Sequence, residues 1–269
     1  MRSKIQIAVA CGFNSEKYTE LLLSTIDRTS SCENEIEYIL GISDKDVDKN
    51  YISNIHTKYP CKIIDIIGKH TRSSRGHGEA LDKLFKYFDS DYGMFMDCDT
   101  AILAKNWDVK MKNHFVNNIA IVGCEYGGKA NKYKNFPNAY FCMFKTDILR
   151  KINISFMPIS RSHRDRIKIN DEQANAFCRS KGDSIIMDTG WELPYKIKKN
   201  GYEGCCISTI ECGSERSIFV KNIAVTEYQL DGELIATHIG RATSRNFMTD
   251  PMAIKWRMAV ENRLKQCKL

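Results

Sequence analysis

Strand-like and helix-like hydrophobic patterns alternate along the first hundred residues, and that alternation restricts the fold of this chain more than any other property. Residues 5–10 form an apolar run of strand length. Gly12-Phe13-Asn14-Ser15 interrupts it, and Leu21, Leu22 and Ile26 then recur at helical spacing to about residue 28, with Ser15 as the expected N-cap. Residues 35–42 and 62–67 read as the second and third strands, with a helix over 50–58 between them. Residues 78–88 are amphipathic, because Ala80, Leu81, Leu84, Phe85 and Phe88 share one helical face. A fourth strand, 92–96, follows at once. The alternation predicts an α/β fold: a mostly parallel central sheet flanked by helices.

The second half is less regular. Strands are expected over 119–124, 139–144, 224–228 and 234–238, and helices over 146–151, 171–180, 193–200 and 251–266. Two polar stretches, 125–135 and 158–170, read as loops that contact substrate or act as lids. No repeat or low-complexity linker divides the chain, so 1–269 is expected to form one domain.

Polar residues recur where the strands of the first half end. Asn14 follows the first, Asp44 and Asp46 the second, and Asp97 and Asp99 the fourth. Open α/β sheets bind ligands beyond the carboxyl ends of their strands. Burying two unpaired carboxylates is costly, so Asp97-Cys98-Asp99 is expected to face an ion or water. Alternate strand residues share a face, which would let Asp97 and Asp99 reach one hard cation, of the sort that carries a diphosphate. Cys98 would then point into the core. A polar turn after a strand also accounts for a lone Asp-x-Asp, so the surroundings have to decide. The first turn lacks Gly-x-Gly-x-x-Gly, and the chain lacks a P-loop.

The net charge of +7 is dispersed and accompanied by no nucleic-acid-binding motif, so no nucleic-acid partner is expected. Eleven cysteines include no Cys-x-x-Cys, which argues against a structural zinc site. An odd cysteine count with no secretion signal predicts reduced thiols and a cytoplasmic location. No run of about 18 apolar residues is present. The basic terminal helix leaves membrane contact at most peripheral, with core packing as its other reading.

Four stretches together resemble the GT-A glycosyltransferases, particularly the broad family 2 type: the strand-turn-helix opening through Asn14, the strand leading to Asp44, the helix from Gly78 leading to Asp97-Cys98-Asp99, and Asp188-Thr-Gly-Trp-Glu-Leu-Pro-Tyr195. The resemblance implies residues 1–100 as a nucleotide-sugar-binding half, 101–236 as an acceptor-side half, and 237–269 as a metal and diphosphate loop with a helix. It implies Asn14 and Asp44 at the nucleotide, Asp97 at ribose and metal, and Asp99 and His238 as metal ligands. Manganese, or magnesium, is the implied cofactor, and imidazole favours manganese. Arg241 and Arg245 would close over the diphosphate. Asp188 would be the general base, with an N-cap role compatible, while Trp191 would face the acceptor and Glu192 would contact the acceptor or brace the loop. Relatives commonly carry an acidic residue before this Asp, where Met187 stands here, and Glu192 is held in reserve for that reason.

The implied activity is transfer of a sugar from a nucleoside diphosphate sugar to a hydroxyl of a glycan, a lipid-linked acceptor or a protein, with inversion. Two alternatives remain open at this stage. A nucleotidyltransferase also needs carboxylate-held metal, although Gly12-Phe13-Asn14 is a poor phosphate loop. A non-catalytic nucleotide- or sugar-binding module of the same fold would retain the donor site alone.

Overall fold

The computed structural model describes residues 3–42, 47–66, 73–126, 131–162, 164–177, 184–211, 214–219, 223, 225–241 and 244–266. At its centre β1 (Ser3–Cys11) pairs in parallel with β2 (Asn34–Ile42) on one side and with β4 (Tyr92–Asp97) on the other. β3 (Cys61–Asp65) extends the parallel set beyond β2. On the other flank, β7 (Pro137–Lys145) runs antiparallel to both β4 and β6 (Ile119–Glu125), and β10 (Glu203–Glu211) runs parallel to β6. Among these seven strands β7 alone therefore opposes the direction shared by β1, β2, β3, β4, β6 and β10. This mostly parallel sheet with helices on its faces is the architecture the resemblance implied.

Alternation along β1 sorts the helical layers. Ile5, Ile7, Val9 and Cys11 join one apolar cluster with Tyr18, Leu22, Leu23 and Ile26 of α1 (Glu16–Thr29) and Tyr51 and Ile55 of α2 (Lys49–Lys58). Ala8 points the other way, into a second cluster with Leu81 and Leu84 of α3 (Ser74–Phe85). Leu149 of α5 (Thr146–Lys151) and Leu193 and Ile197 of α7 (Glu192–Lys199) complete that second layer. Both faces of β1 are thus covered, as a parallel strand requires.

The sheet continues from β10 through β11 (Thr226–Leu230) and β12 (Glu233–His238) to β5 (Thr100–Ile102), all antiparallel. β5 follows β4 after only Cys98 and Asp99, yet it ends the strand order at the far side. The sheet must therefore curl back on itself, carrying β12 to the carboxyl end of β4. α8 (Pro251–Gln266) secures that return: Ala253, Trp256, Val260 and Leu264 make one buried stripe, and the Trp256 indole donates to Thr237 Oγ1 at 3.3 Å. Burying such large apolar side chains contributes about 1.5–3 kcal/mol each. The apolar face of this helix is spent on the core rather than on a membrane.

Several elements differ from expectation. Ser15 occupies the N-cap position of α1, but its hydroxyl donates back to Gly12 O at 2.6 Å instead of accepting from the helix. β5, α4 (Trp107–Lys112) and β10 were not anticipated, and the helix expected over 171–180 is described as α6 (Asp171–Ala176) with an Asn170–Gln173 capping box. Ile167–Lys168 and Ser184–Ile185 form a separate two-stranded pair, β8 and β9. The eight described cysteines are free thiols. Among the described residues no helix is long and apolar enough to cross a membrane.

Candidate active site

Asp97 closes β4 opposite Ala10 of β1, so its carboxylate lies at the sheet end where the β1–α1 turn begins. The strand stops there. Asp99 sits in the short turn to β5, so the expected sharing of one strand face is corrected: the turn, not the pleat, brings the second carboxylate round. Cys98 between them is buried in the apolar core. His238 ends β12 opposite Thr100, and Ile239 N donates to Asp99 O at 3.2 Å. The imidazole Nε2 lies 3.0 Å from Asp99 Oδ1 and 3.7 Å from Asp97 Oδ2.

One ligand atom from each of Asp97, Asp99 and His238 lies within 4.8 Å of the others. Two carboxylate oxygens and an imidazole nitrogen fit manganese, and a carboxylate-rich set also accepts magnesium. The other ring nitrogen, Nδ1, is 3.1 Å from the Tyr228 hydroxyl. When Nε2 serves as a ligand, Nδ1 carries the proton and donates to that hydroxyl, which fixes the ring. Without a cation the imidazole takes up a proton instead. Burial opposes a charged His238, but Asp99 and then Asp97 outweigh it and raise the imidazole to about 9. Burial, with the Asp99 charge beside it, pushes Asp97 up against the pull of His77 and His238.

His77 was missed by the sequence reading. It lies in the first turns of α3, whose Ser73 cap accepts from Gly76 N, and its Nε2 is 3.5 Å from Asp97 Oδ1. Its ring stacks on Tyr140, with centroids 6.3 Å apart and planes 12° from parallel. The next residue explains how α3 comes so close to the acceptor side. A Cβ on Gly78 would lie 2.7 Å from Phe156 O, so only glycine lets the helix meet the 156–158 backbone. Asp82, one turn on, accepts from Phe156 N at 2.7 Å and from Ser155 Oγ at 2.8 Å.

Asp188 lies across that contact and is buried. Gly190 N donates to Phe156 O, and Ile159 N and Ser160 N both donate to Met187 O, fixing the backbone on either side of it. Its Oδ1 accepts from Thr189 N at 2.8 Å, and its Oδ2 lies 2.7 Å from Lys132 Nζ. Burial alone would raise this carboxyl, but the Lys132 ammonium, with hydrogen bonds from Ser74 and Thr189, holds it below the usual carboxylate range. The N-cap of α7 is Trp191, so Asp188 stands in the turn before the helix rather than at its cap.

The remaining expected residues divide. Asn14 is in the turn after β1 with φ 61°, a left-handed conformation that asparagine tolerates. Trp191 donates its indole N–H to Met157 O at 3.0 Å. Glu192 accepts from Ser155 N at 3.1 Å and pairs with Lys196 at 2.7 Å, so it braces the 155–157 segment. Arg241 is exposed, with φ 63° just after Gly240. Arg245 is directed toward α8, with Nη1 2.7 Å from Met252 Sδ and 3.8 Å from Asp250 Oδ1. Asp44, with Asp46, lies outside the described residues.

No family model and no curated protein matches the sequence. Among solved structures, the chain is similar to the mannosyltransferase PcManGT from Pyrobaculum calidifontis in complex with GDP-Man and Mn2+, at 12% identity and TM-score 0.48, over 77% of this chain and 55% of that one. It is similar to the WbbM bifunctional glycosyltransferase at 11% identity and TM-score 0.47, over 77% of this chain and 39% of that one. It is similar to S. aureus TarS 1-349 in complex with UDP-GlcNAc at 17% identity and TM-score 0.42, over 59% of this chain and 50% of that one. The chain spans about half the length, or less, of these structures.

Proposed function

We propose that this protein is a metal-dependent glycosyltransferase that moves a sugar from a nucleoside diphosphate sugar to a hydroxyl acceptor, with inversion. The observation that carries the reading is the convergence of Asp97, Asp99 and His238 at the carboxyl end of the parallel strands. Asp97, Asp99 and His238 would hold manganese or magnesium, which neutralises negative charge on a departing diphosphate.

The chain's own residues supply the rest. Asn14 lies in the turn that follows β1, as a nucleotide contact would, and Asp44 is assigned to the nucleotide from its sequence position two residues after Ile42. Arg241, exposed three positions after His238, is available to an anionic ligand, and Arg245 would have to leave Asp250 to join it. Asp188 takes the proton of the acceptor hydroxyl as its oxygen bonds to the anomeric carbon and the bond to the diphosphate breaks. A carboxylate already ionised at neutral pH suits that task. The acceptor is a glycan, a lipid-linked sugar or a protein hydroxyl.

The test is thermal melting against a panel of nucleoside diphosphate sugars, with and without manganese, followed by assay of nucleoside diphosphate release. A donor at about a hundredfold over its dissociation constant adds roughly 2.7 kcal/mol. A manganese-dependent shift for one nucleoside supports the reading. Flat curves across the panel on folded protein would remove it.

A further inference from the structure

We propose that Lys132 is the positioning residue for the acceptor-side carboxylate: its ammonium, lodged against the rings of Tyr126 and Tyr140, pins Asp188 and links it through Tyr140 to His77 and the Asp97 end of the sheet. The use of that carboxylate as a base rests on the transferase reading. The pinning rests on geometry alone.

The backbone puts the two residues side by side. Ile186 N donates to Asn131 O at 2.8 Å, and Asn131 Nδ2 donates to Ser184 O at 3.2 Å, so the segment entering Lys132 runs against the segment entering Asp188. Lysine is rarely buried, and a buried ammonium persists only with strong partners. Here Lys132 is 8% exposed. Its Nζ lies 2.7 Å from Asp188 Oδ2, donates to the Tyr140 hydroxyl at 3.1 Å, and stands 4.5 Å from the centroid of the Tyr126 ring. An ammonium has three N–H donors, and these contacts point in three directions. Tyr126 is anchored in turn, since its hydroxyl donates to Thr189 O at 3.2 Å. The Tyr126 ring that flanks the lysine therefore also holds the turn carrying Asp188.

The arrangement joins the two ends of the site. From Asp188 the path runs to Lys132, to the Tyr140 hydroxyl, across the Tyr140–His77 stack, and from His77 to Asp97. Among the described residues the titratable groups facing Asp188 are Lys132, Tyr126 and Tyr140, and burial and nearby groups keep both phenols protonated through the neutral range. Among the described residues Lys132 is thus the charged group that opposes the effect of burial on this carboxyl.

The test is a carboxyl-carbon NMR titration of the full chain labelled in its aspartates, with Asp188→Asn used to assign the signal. In the unsubstituted protein Asp188 should titrate below the ordinary value of about 3.9. Lys132→Met keeps the apolar stem and removes the charge, so burial should carry the midpoint above that value, and Lys132→Arg should bring it back down. Transfer by Lys132→Met should fall on the order of a hundredfold, with the donor-dependent melting shift retained. A midpoint at or above the ordinary value in the unsubstituted protein overturns the proposal, and this measurement needs no variant of Lys132. An unmoved midpoint in Lys132→Met overturns it too. The titration needs no substrate, so the expected midpoints alongside absent transfer would leave Lys132 in its role and remove the transferase reading instead.

Discussion

His238 Nε2 and Asp99 Oδ1 lie 3.0 Å apart although 139 positions separate the two residues in sequence. The contact exists because β12 pairs with β5, placing His238 opposite Thr100 one position beyond Asp99. The same atoms that hold a proton between them are the ones a cation would claim.

That competition gives a pH signature. The His238 imidazole rises from 6.5 to about 9 in the metal-free fold. Its contribution to stability is therefore complete below about pH 6.5 and is lost as pH rises through about 9. In chelator, melting temperature should decline across that window, and His238→Gln should remove this part of the decline. Manganese binding must displace the proton, so manganese affinity should strengthen over the same interval. Calorimetric titration at several pH values checks the second effect.

Asp99→Ala should abolish manganese-dependent stabilisation by a nucleoside diphosphate sugar. The lost effect is about 2.7 kcal/mol at a hundredfold over the dissociation constant, a difference of several degrees in melting. Retention of the full shift would take Asp99 out of the ligand set.

Asp188→Asn should keep that shift and reduce transfer by about 10²–10⁴-fold. Both Asp188→Asn and Asp188→Ala take the carboxylate from the Lys132 ammonium, about 3–5 kcal/mol for breaking a buried pair, and alanine also loses the hydrogen-bond acceptor that asparagine keeps for Lys132 and Thr189. Chemical denaturation of both variants separates the two effects: alanine should be the less stable by a clear margin.

Gly78→Ala sets two effects against each other. Alanine gains about 0.8–1.0 kcal/mol of helix propensity over glycine. A Cβ 2.7 Å from Phe156 O and 2.9 Å from Pro158 Cδ forces α3 off the 156–158 backbone, and overpacking of this kind costs about 1–3 kcal/mol. The clash should win, with a lower melting temperature and weaker transfer because His77 moves with the helix. An unchanged or higher melting temperature would show that the segment yields freely.

The alternating first half was legible because its central strands β1, β2 and β4 are buried between helices and each helix shows one apolar stripe. β10 was not legible. Gly204, Cys205, Cys206, Ser208 and Thr209 carry no strand pattern, and the segment is extended because β6 and β11 pair with it on either side. The Asp-x-Asp and His238 could be picked out by residue type and position, but the turn that joins them could not, since an apolar run does not reveal at which residue its strand stops. His77 and Lys132 were invisible for another reason. Each sits in a short polar segment resembling its surroundings, and only the packing of α3 and β7 gives it a partner. Glu192 shows the converse: of its two expected roles, acceptor contact and loop brace, its carboxylate takes the second, holding Ser155 and Lys196.

The curl of the sheet also fixes the order in which the site can come into being. Asp97 and Asp99 leave the ribosome with β4, and His238 follows Asp99 by 139 positions. At about 5–20 residues per second, roughly seven to thirty seconds pass before the imidazole is even synthesised. For that interval a nascent chain can already pair β1 to β4 while carrying two acids with no histidine strand beside them. The candidate cation site is thus a late event of biosynthesis, and its completion reports that the tenth strand of the sheet order has found its neighbour.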